Sequence, residues 1–495
     1  MNSESVNYPL ASVLTDERRL PRSRSAWNLT TAERRFFLVL VDLLLINAAL
    51  LIAVTAWNGF TPSVSTVWSH VKWFVTLSAM WFGFGTVLDI YNLARSASAT
   101  SSLANVGLTG LLTALVYLFT PWLTPPMHNR SYAYGFLALS VLMVVGWRIF
   151  YAKALNQPSF RQWALILGTG AAARTLARAL TEGSHADKSN PFRGTGYQVL
   201  GMLCDLSDAA CNDDHEFPVL GDGQQLASLA QQYGVDEIIV ALDSHHVDPQ
   251  LYDSLLDCRE SGIRVSSFAE VYERLTARLP VGYDERDLEV LLGPKDTGGA
   301  RLYVAVKRLL DILVALAGLV MMALVLPFVA WGNFIWSRGP LFYRQQRVGQ
   351  GGKPFALIKF RTMIPDAEQK TGIVWSSEKD PRITPIGRFL RKTRLDELPQ
   401  FINVLRGEMS LIGPRPERPH FVGQLARELP LYRARHSVKP GITGWAQVQY
   451  RYANSVEDSR IKLEYDLYYV KHASFFLDVL IALQTFRVIL QFKGT

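Results

Sequence analysis

Three cysteines in 495 residues are too few for a disulfide framework, and Cys204, Cys211 and Cys258 show no metal-ligand spacing. All three are expected to be reduced, in a cytosolic compartment. Among the histidines, His185, His215, His245 and His246 likewise show no ligand spacing and read as surface groups. No basic stretch is interleaved with aromatic residues. The net charge of +8 therefore points to phosphates or an anionic leaflet and away from nucleic acid. No cleavable signal is expected either, because residues 1–35 are polar and Arg-rich up to the first apolar run.

What the chain does have is apolar sequence. Hydrophobic residues make up 49% and the mean hydropathy is +0.10, too apolar and too long for one soluble core. Several domains are expected, part of them in a membrane. Residues 1–35 read as a disordered cytosolic N-terminus. Residues 36–155 hold four apolar runs, near 36–57, 67–88, 103–123 and 133–151, each close to the ~20 residues that cross a bilayer as a helix. They predict a four-helix transmembrane bundle with Trp57, Trp68, Trp73 and Trp122 as interfacial anchors.

Arg18, Arg19, Arg22, Arg24, Arg34 and Arg35 precede the first run. Arg148, Lys153 and Arg161 close or follow the fourth, and the loops between hold little beyond Arg95 and Arg130. Positive charge stays inside, which places both ends of this unit in the cytoplasm. Asp42, about two turns into the first run, is expected to reach Arg34 or Arg35 at the interface. A permease would need more polar or broken helices than this.

Residues 160–280 predict a Rossmann-like α/β middle domain. Ala164–Leu167 reads as a buried strand, Gly168-Thr169-Gly170-Ala171-Ala172-Ala173 as a turn, and Arg174–Leu180 as a helix. Further strands are expected at Val199–Leu203, Glu237–Leu242 and Ile263–Phe268, giving a doubly wound parallel sheet. The glycine turn is a poor dinucleotide fingerprint: Ala173 replaces the third glycine and Asp205 comes late. A structural or regulatory role is the better reading. The domain also lacks a Tyr-x-x-x-Lys hydride-transfer site, which argues against a sugar oxidoreductase.

Residues 281–300 read as a linker rich in Gly, Pro and charge. In 301–338, Lys307 and Arg308 run into the apolar stretch Ile312–Trp336, with Arg338, Arg344 and Arg347 beyond it. One crossing here would carry every downstream basic motif out of the cytoplasm, and Pro327 should kink the helix. A re-entrant membrane helix, broken and returning to the cytoplasmic face, is therefore expected. Residues 339–495 predict a mainly α-helical domain with short strands, one of them with its turn at Gly339–Gly349. Its tail, Ile461–Phe492, reads as amphipathic helix on the membrane surface.

Charge concentrates between Lys359 and Trp445. Asp396 and Glu397 directly follow Arg391, Lys392 and Arg394, and Pro399 closes the segment. Cations beside carboxylates keep them ionised, available as nucleophiles or metal ligands, and can also neutralise a phosphorylated substrate. Neighbouring residues on a regular helix point about 100° apart. Both carboxylates therefore share a cleft only at a distortion, expected where Pro399 pushes Leu398 from helical geometry.

The strings KFRTM, DPRITPIGRFLRKTRLDELPQ, NVLRGEMSLIGPRP and KPGITGWAQV, from Lys359 to Val448, resemble the bacterial polyprenyl-phosphate hexose-1-phosphate transferases, the monotopic phosphoglycosyl transferases. The resemblance runs from about Arg301 onward. It implies that 339–495 is a catalytic domain at the cytoplasmic face of the bacterial inner membrane, reached by the re-entrant helix. Here Leu326-Pro327 stands where many members have Ser-Pro.

The implied substrates are a UDP-sugar donor and a polyprenyl phosphate acceptor, among membrane lipids, with UMP released and Mg²⁺ as cofactor. Asp396 is implied as nucleophile and metal contact, forming an aspartyl phosphosugar, with Glu397 orienting the site or handling a proton. Arg391, and Arg415 in its turn with Pro416, match phosphate-binding positions; Lys359 and Arg361 are expected in the same pocket. Asp466 matches an acidic position. Similar large members make a homodimer through the middle domain the expectation. The stretch GITGWAQVQYRYANSVED resembles exopolysaccharide-type members, for which glucose or galactose is the expected sugar.

Overall fold

The computed structural model describes residues 31–58, 64–88, 90–91, 99–118, 120, 124–125, 130–151, 162–182, 197–204, 217–242, 248–281, 298–336, 338–365, 367, 380–429, 431–450 and 455–490. Of the segment 1–35 expected to be disordered, residues 31–35 are instead the first turn of a helix and the rest lie outside the described residues, as do Arg95, Trp122, Asp205, Cys211 and the four histidines named above. The chain forms two compact units: Met1–Ile46 with Tyr91–Ala104 and Leu139–Val271, and Asn47–Ile90 with Asn105–Ala138 and Tyr272–Thr495.

The apolar runs are helical: α1 (Thr31–Asn58), α2 (Val64–Ser69), α3 (Val71–Val87), α4 (Ala99–Leu118) and α5 (Arg130–Phe150). Among the described residues, two segments, Glu33–Ala56 of α1 and the later Arg301–Trp336, are long and apolar enough to cross a membrane. Asp42 does not follow the local expectation. It pairs with Arg148 of α5 at 2.5 Å, with both side chains buried. Two charges removed from water need each other more than either needs an interface partner. Trp73 also departs from an anchoring role. It is buried, and its carbonyl accepts from the Tyr117 hydroxyl at 3.0 Å, whereas Trp68 is exposed.

In the first unit, a five-stranded parallel sheet is described, in the order β3–β2–β1–β4–β5. Its strands are β1 (Gln162–Leu167), β2 (Tyr197–Cys204), β3 (Val219–Asp222), β4 (Glu237–Val240) and β5 (Arg264–Ser267). The helices between are α6 (Ala171–Glu182), α7 (Leu226–Gln232) and α8 (Pro249–Glu260), and α9 (Phe268–Thr276) follows β5. Leu165, Leu167, Leu203, Leu226, Val235, Ile238 and Leu251 form the core.

Gly168 has φ +120°, and a Cβ there would lie 2.2 Å from the Ala241 carbonyl oxygen. The glycine is thus required by the close approach of β4 to the turn, whatever the turn binds. Cys204 is disulfide-bonded, contrary to the expected reduced state, while Cys258 is free and buried.

The second unit takes in the chain from Tyr272. Leu279 and Val281 are buried among Phe421, Leu425, Leu429, Leu463 and Leu467, so the chain is already part of this core before the linker. Then come α10 (Gly298–Trp336), β6 (Phe342–Val348) and β7 (Pro354–Phe360), α11 (Pro385–Thr393) and α12 (Gln400–Arg406). They are followed by β8 (Ser410–Ile412), α13 (Pro419–Glu428), β9 (Gly441–Thr443), α14 (Trp445–Gln449), α15 (Val456–His472) and α16 (Phe475–Leu490). β6 pairs antiparallel with β7 and β8 parallel with β9.

The expected break at Pro327 is not present: α10 is helical throughout with Pro327 inside it, and the helix accommodates the one missing backbone donor. One stripe of α10 touches the rest of the unit along its length. Tyr303 and Lys307 hydrogen-bond Asp478. Arg308 donates to the Val404 and Leu405 carbonyls, and Asp311 accepts from Ser410 and Leu411. Ala315 packs with Phe355 and Met409, Gly318 lies under Phe401, and Val329 packs with Phe360 and Leu390. Asn333 ends the series on the Gly339 carbonyl. Leu309, Val320, Leu324, Phe328 and Trp331 are exposed.

α15 overturns one expectation: Leu463, Glu464, Tyr465, Asp466, Leu467, Tyr469 and Val470 are buried, so it is a core helix and no surface float. The same apolar spacing serves either face. Exposed Phe475, Phe476 and Phe486 give α16 the expected apolar face.

Candidate active site

A cleft of about 820 Å³ opens between β6, β7, α11, α13 and α15. Its floor begins with α11. Thr384 caps this helix by accepting from the Gly387 amide at 3.0 Å, and Pro385 occupies its first turn. A Cβ on Gly387 would lie 2.0 Å from the Thr362 carbonyl oxygen, so α11 lies directly on the strand-end backbone after β7. That seating brings Arg391 within 3.0 Å of the Thr362 hydroxyl, to which its Nε donates.

α11 stops at Arg394, whose φ is +60°. A left-handed non-glycine residue costs about 1–2 kcal/mol; the Arg394 guanidinium lies 3.5 Å from Glu397 and helps to offset it. Leu395–Glu397 form a single 3₁₀ turn that displays both carboxylates. The distortion is therefore at Arg394. Leu398 itself is helical, with φ −53° and ψ −38°, because Pro399 opens α12 where its fixed φ suits the helix.

The two carboxylates are 7% and 8% exposed, yet their surroundings differ. Glu397 Oε1 lies 3.1 Å from Lys359 Nζ and 3.5 Å from both Arg394 and Arg415. Burial opposes its charge, but Lys359, Arg415 and Arg394 outweigh burial and hold the carboxyl well below its ordinary range. Asp396 Oδ1 is buried with no hydrogen-bond partner among the described residues. Burial, and then the charge of Glu397, raise the Asp396 pKa to about 6. One carboxylate thus gathers the cations and its neighbour is left uncommitted.

Arg415 is positioned by a glycine junction. Ideal Cβ atoms would lie 2.3 Å from the Lys439 carbonyl oxygen at Gly413 and 2.1 Å from the Gly413 nitrogen at Gly441. Gly441 N also donates to the Pro414 carbonyl at 3.0 Å. The GPRP and KPGITG segments are thus two backbones in direct contact. Gly441→Ala is expected to lower stability by about 3 kcal/mol through this overlap, measured as a fall in the denaturant midpoint of the detergent-solubilised protein.

Lys359, Arg361, Arg391, Asp396, Glu397, Arg415 and Asp466 all line this cleft. Their commitments separate them. Arg361 is drawn to the end of α10, donating to the Pro340 carbonyl and to Asn333. Pro416 supplies a carbonyl to Arg347 at 3.1 Å. Asp466 accepts from Arg435 Nη2 at 2.6 Å and Nε at 3.0 Å, and Arg435 Nη2 in turn donates to the Arg415 carbonyl at 3.0 Å. Arg394, named in the sequence beside the carboxylates, lines the cleft as well, and so do Arg435, Arg418 and Lys462, to which sequence reasoning assigns no site role. The i,i+4 spacing of Lys462 and Asp466 was the one available sign.

The family described as bacterial sugar transferase matches residues 302–492, which include every residue of this cleft, and the family described as CoA-binding domain matches residues 86–266. The chain belongs to the bacterial sugar transferases. An uncharacterized sugar transferase of Bacillus subtilis is 42% identical over 192 residues, 38% of this chain and 89% of that protein. The UDP-N-acetylgalactosamine-undecaprenyl-phosphate N-acetylgalactosaminephosphotransferase of Aeromonas hydrophila is 43% identical over 237 residues, 48% of this chain and 54% of that protein. The UDP-glucose:undecaprenyl-phosphate glucose-1-phosphate transferase of Escherichia coli is 41% identical over 295 residues, 59% of this chain and 61% of that protein. The chain thus spans only about half to three-fifths of the last two relatives.

Proposed function

We propose that this protein transfers hexose 1-phosphate from a UDP-sugar to a polyprenyl phosphate and releases UMP, the first membrane step in building an exopolysaccharide or O-antigen-type glycan. The observation that carries the reading is the asymmetric carboxylate pair: a buried Asp396 without a partner on Oδ1, beside a Glu397 that collects three cations. The relatives' names supply donor and acceptor chemistry, with both glucose and N-acetylgalactosamine among the sugars.

In the first step an Asp396 oxygen attacks the sugar-side phosphorus. The bond from that phosphorus to the bridging oxygen breaks, and UMP leaves with the electron pair. In the second step an oxygen of the polyprenyl phosphate attacks the same phosphorus and the carboxylate departs. Splitting the transfer lets a nucleotide and a lipid use one site in turn. Glu397 keeps Lys359, Arg394 and Arg415 aimed at the diphosphate. Arg391 adds a planar donor set suited to phosphate oxygens.

The donor set fits Mg²⁺, a hard cation that binds through one or two carboxylates plus substrate phosphates. Asp396 would hold it, since its Oδ1 is free of hydrogen bonds among the described residues. No cluster of three or more His, Cys, Asp or Glu suited to a metal occurs among the described residues, so the protein would supply few ligands and the rest would come from substrate and water. Bound there, the ion supplies charge neutralisation for the diphosphate.

Placement at the cytoplasmic face of the inner membrane is part of the proposal. The contacts of α10 from Tyr303 to Asn333 run along about 45 Å of helix, more than the ~30 Å hydrocarbon core. A helix crossing straight through would leave much of that stripe to lipid. In this proposal α10 bends at Pro327 in the membrane so that both its ends stay at one face, which keeps the domain in water and turns Val320, Leu324 and Phe328 to lipid. A homodimer belongs to the same proposal and rests on the family resemblance.

The test is incubation of detergent-solubilised protein with radiolabelled UDP-glucose or UDP-N-acetylgalactosamine and polyprenyl phosphate. Lipid-extractable label is expected, reduced about a hundredfold or more by EDTA and restored by Mg²⁺. Absence of lipid label across a panel of UDP-sugars would sink the reading.

A further inference from the structure

The chemistry proposed above occupies the Asp396 side of the cleft, and α15 builds another wall of it. That wall holds a cation with no task so far. Lys462 sits one turn before Asp466 and lines the cleft with Ser459 and Leu463. Its ammonium makes no hydrogen bond or salt bridge to any described residue. Asp466, one turn further along the same helix, already accepts two bonds from Arg435. Glu417 lies 3.5 Å from Arg347. Burial lowers the pKa of Lys462, with Glu417 acting against that and Arg415 adding to it. A half-buried cation without a counter-ion is costly, and an anion entering the cleft relieves it.

Reaction geometry selects the anion. Displacement at phosphorus is roughly in line, so the leaving oxygen stands opposite the attacking carboxylate. In the second half-reaction the carboxylate is the leaving group, and the acceptor must arrive opposite it. The nucleotide phosphate that departs and the lipid phosphate that attacks therefore use one position in turn, across the transferred phosphorus from Asp396. Arg415 links the two regions: it reaches Glu397 at 3.5 Å, and its carbonyl is held by Arg435, the partner of Asp466.

We infer that Lys462 is the anchor of a second phosphate subsite, which holds the nucleotide phosphate in the first half-reaction and the polyprenyl phosphate in the second. The inference rests on the two-step transfer proposed above. Two sources thus supply the same ligand chemistry, a phosphate monoester that is not itself transferred.

The experiment uses the full chain in detergent and compares wild type, Lys462→Gln and Lys462→Arg. Exchange of radiolabelled UMP into UDP-sugar without lipid gives the KM for the nucleotide; complete transfer with a short-chain polyprenyl phosphate gives the KM for the acceptor. In Lys462→Gln both KM values are expected to rise about tenfold or more, kcat changing less, as for loss of a charged hydrogen-bond donor. Lys462→Arg is expected to stay within about threefold of wild type, since the charge is kept. A rise in one KM alone overturns the shared subsite, and both values within about twofold of wild type overturn the subsite altogether.

A second measurement needs no variant and no turnover. Amine-reactive labelling of Lys462 in wild type, read by mass spectrometry, is expected to be suppressed by UMP and separately by the short polyprenyl phosphate. Labelling unchanged by either sinks the inference even if Lys462→Gln does not fold. Wild-type protein that forms no sugar-linked lipid fails the transfer reading instead, so the two failures are distinct.

Discussion

Asp396→Asn is expected to lower kcat for transfer by about 10³-fold or more, with UDP-sugar binding retained. Asn matches Asp in shape but carries no anionic oxygen, so no bond from the side chain to phosphorus forms. Quenched wild-type reactions without acceptor should show hexose phosphate bonded to the peptide that contains residue 396, and the variant should show none. Glu397→Gln is expected to behave differently, because Glu397 neutralises Lys359, Arg394 and Arg415 and leaves the attack to its neighbour. Its loss should raise donor KM as well as lower kcat, through cations left without their anion.

Asp396→Asn should not cost stability, since the aspartate is 7% exposed and its Oδ1 has no partner to lose among the described residues. The unfolding midpoint is expected to stay or rise. That combination, an intact fold with the chemistry removed, separates a nucleophile from a structural carboxylate. An Asn variant that turned over within tenfold of wild type would dismiss Asp396 from the role.

The cleft was legible in the sequence where its residues come from unbroken motifs. Lys359, Arg391, Asp396, Glu397 and Arg415 belong to three of the four strings, and the fold brings them to one cavity. Glycine and proline within those strings explain themselves locally: Gly387 seats α11, Gly413 and Gly441 allow two backbones to touch, and Pro385 starts a helix. What stayed hidden are relations set by distance in sequence. The partner of Asp42 is 106 residues away and that of Asp466 is 31 away. No periodicity reports such pairs.

The strand β3 (Val219–Asp222) was missed because it is short and only half buried, without the apolar run that marks β1. The distortion beside the carboxylates was placed at Leu398 by the preference of the residue before proline. It lies at Arg394 instead, because Pro399 begins a helix and does not end one. A preference that holds on average yields where the following element needs the proline's own geometry.

Asp466 separates reading by position from reading by contact, and its substitution should give the larger stability effect of the two. Its carboxylate and the Arg435 guanidinium are both nearly fully buried and share two hydrogen bonds. Burial raises the Asp466 pKa, and Arg435 works against that rise. Asp466→Ala would strand a buried guanidinium, which typically costs about 3–5 kcal/mol. The expected result is a matching fall in unfolding free energy, with activity falling too, because Arg435 also holds the Arg415 carbonyl. Arg435→Met combined with Asp466→Leu removes both charges at once and should recover stability to within about 1–2 kcal/mol of wild type. Activity should not recover with it, since the anchor of the Arg415 turn is still missing. Had Asp466 served only to bind substrate, its loss would leave unfolding unchanged and the double variant would gain nothing over the single one. A coupling energy near zero in that cycle would return Asp466 to the substrate side of the cleft.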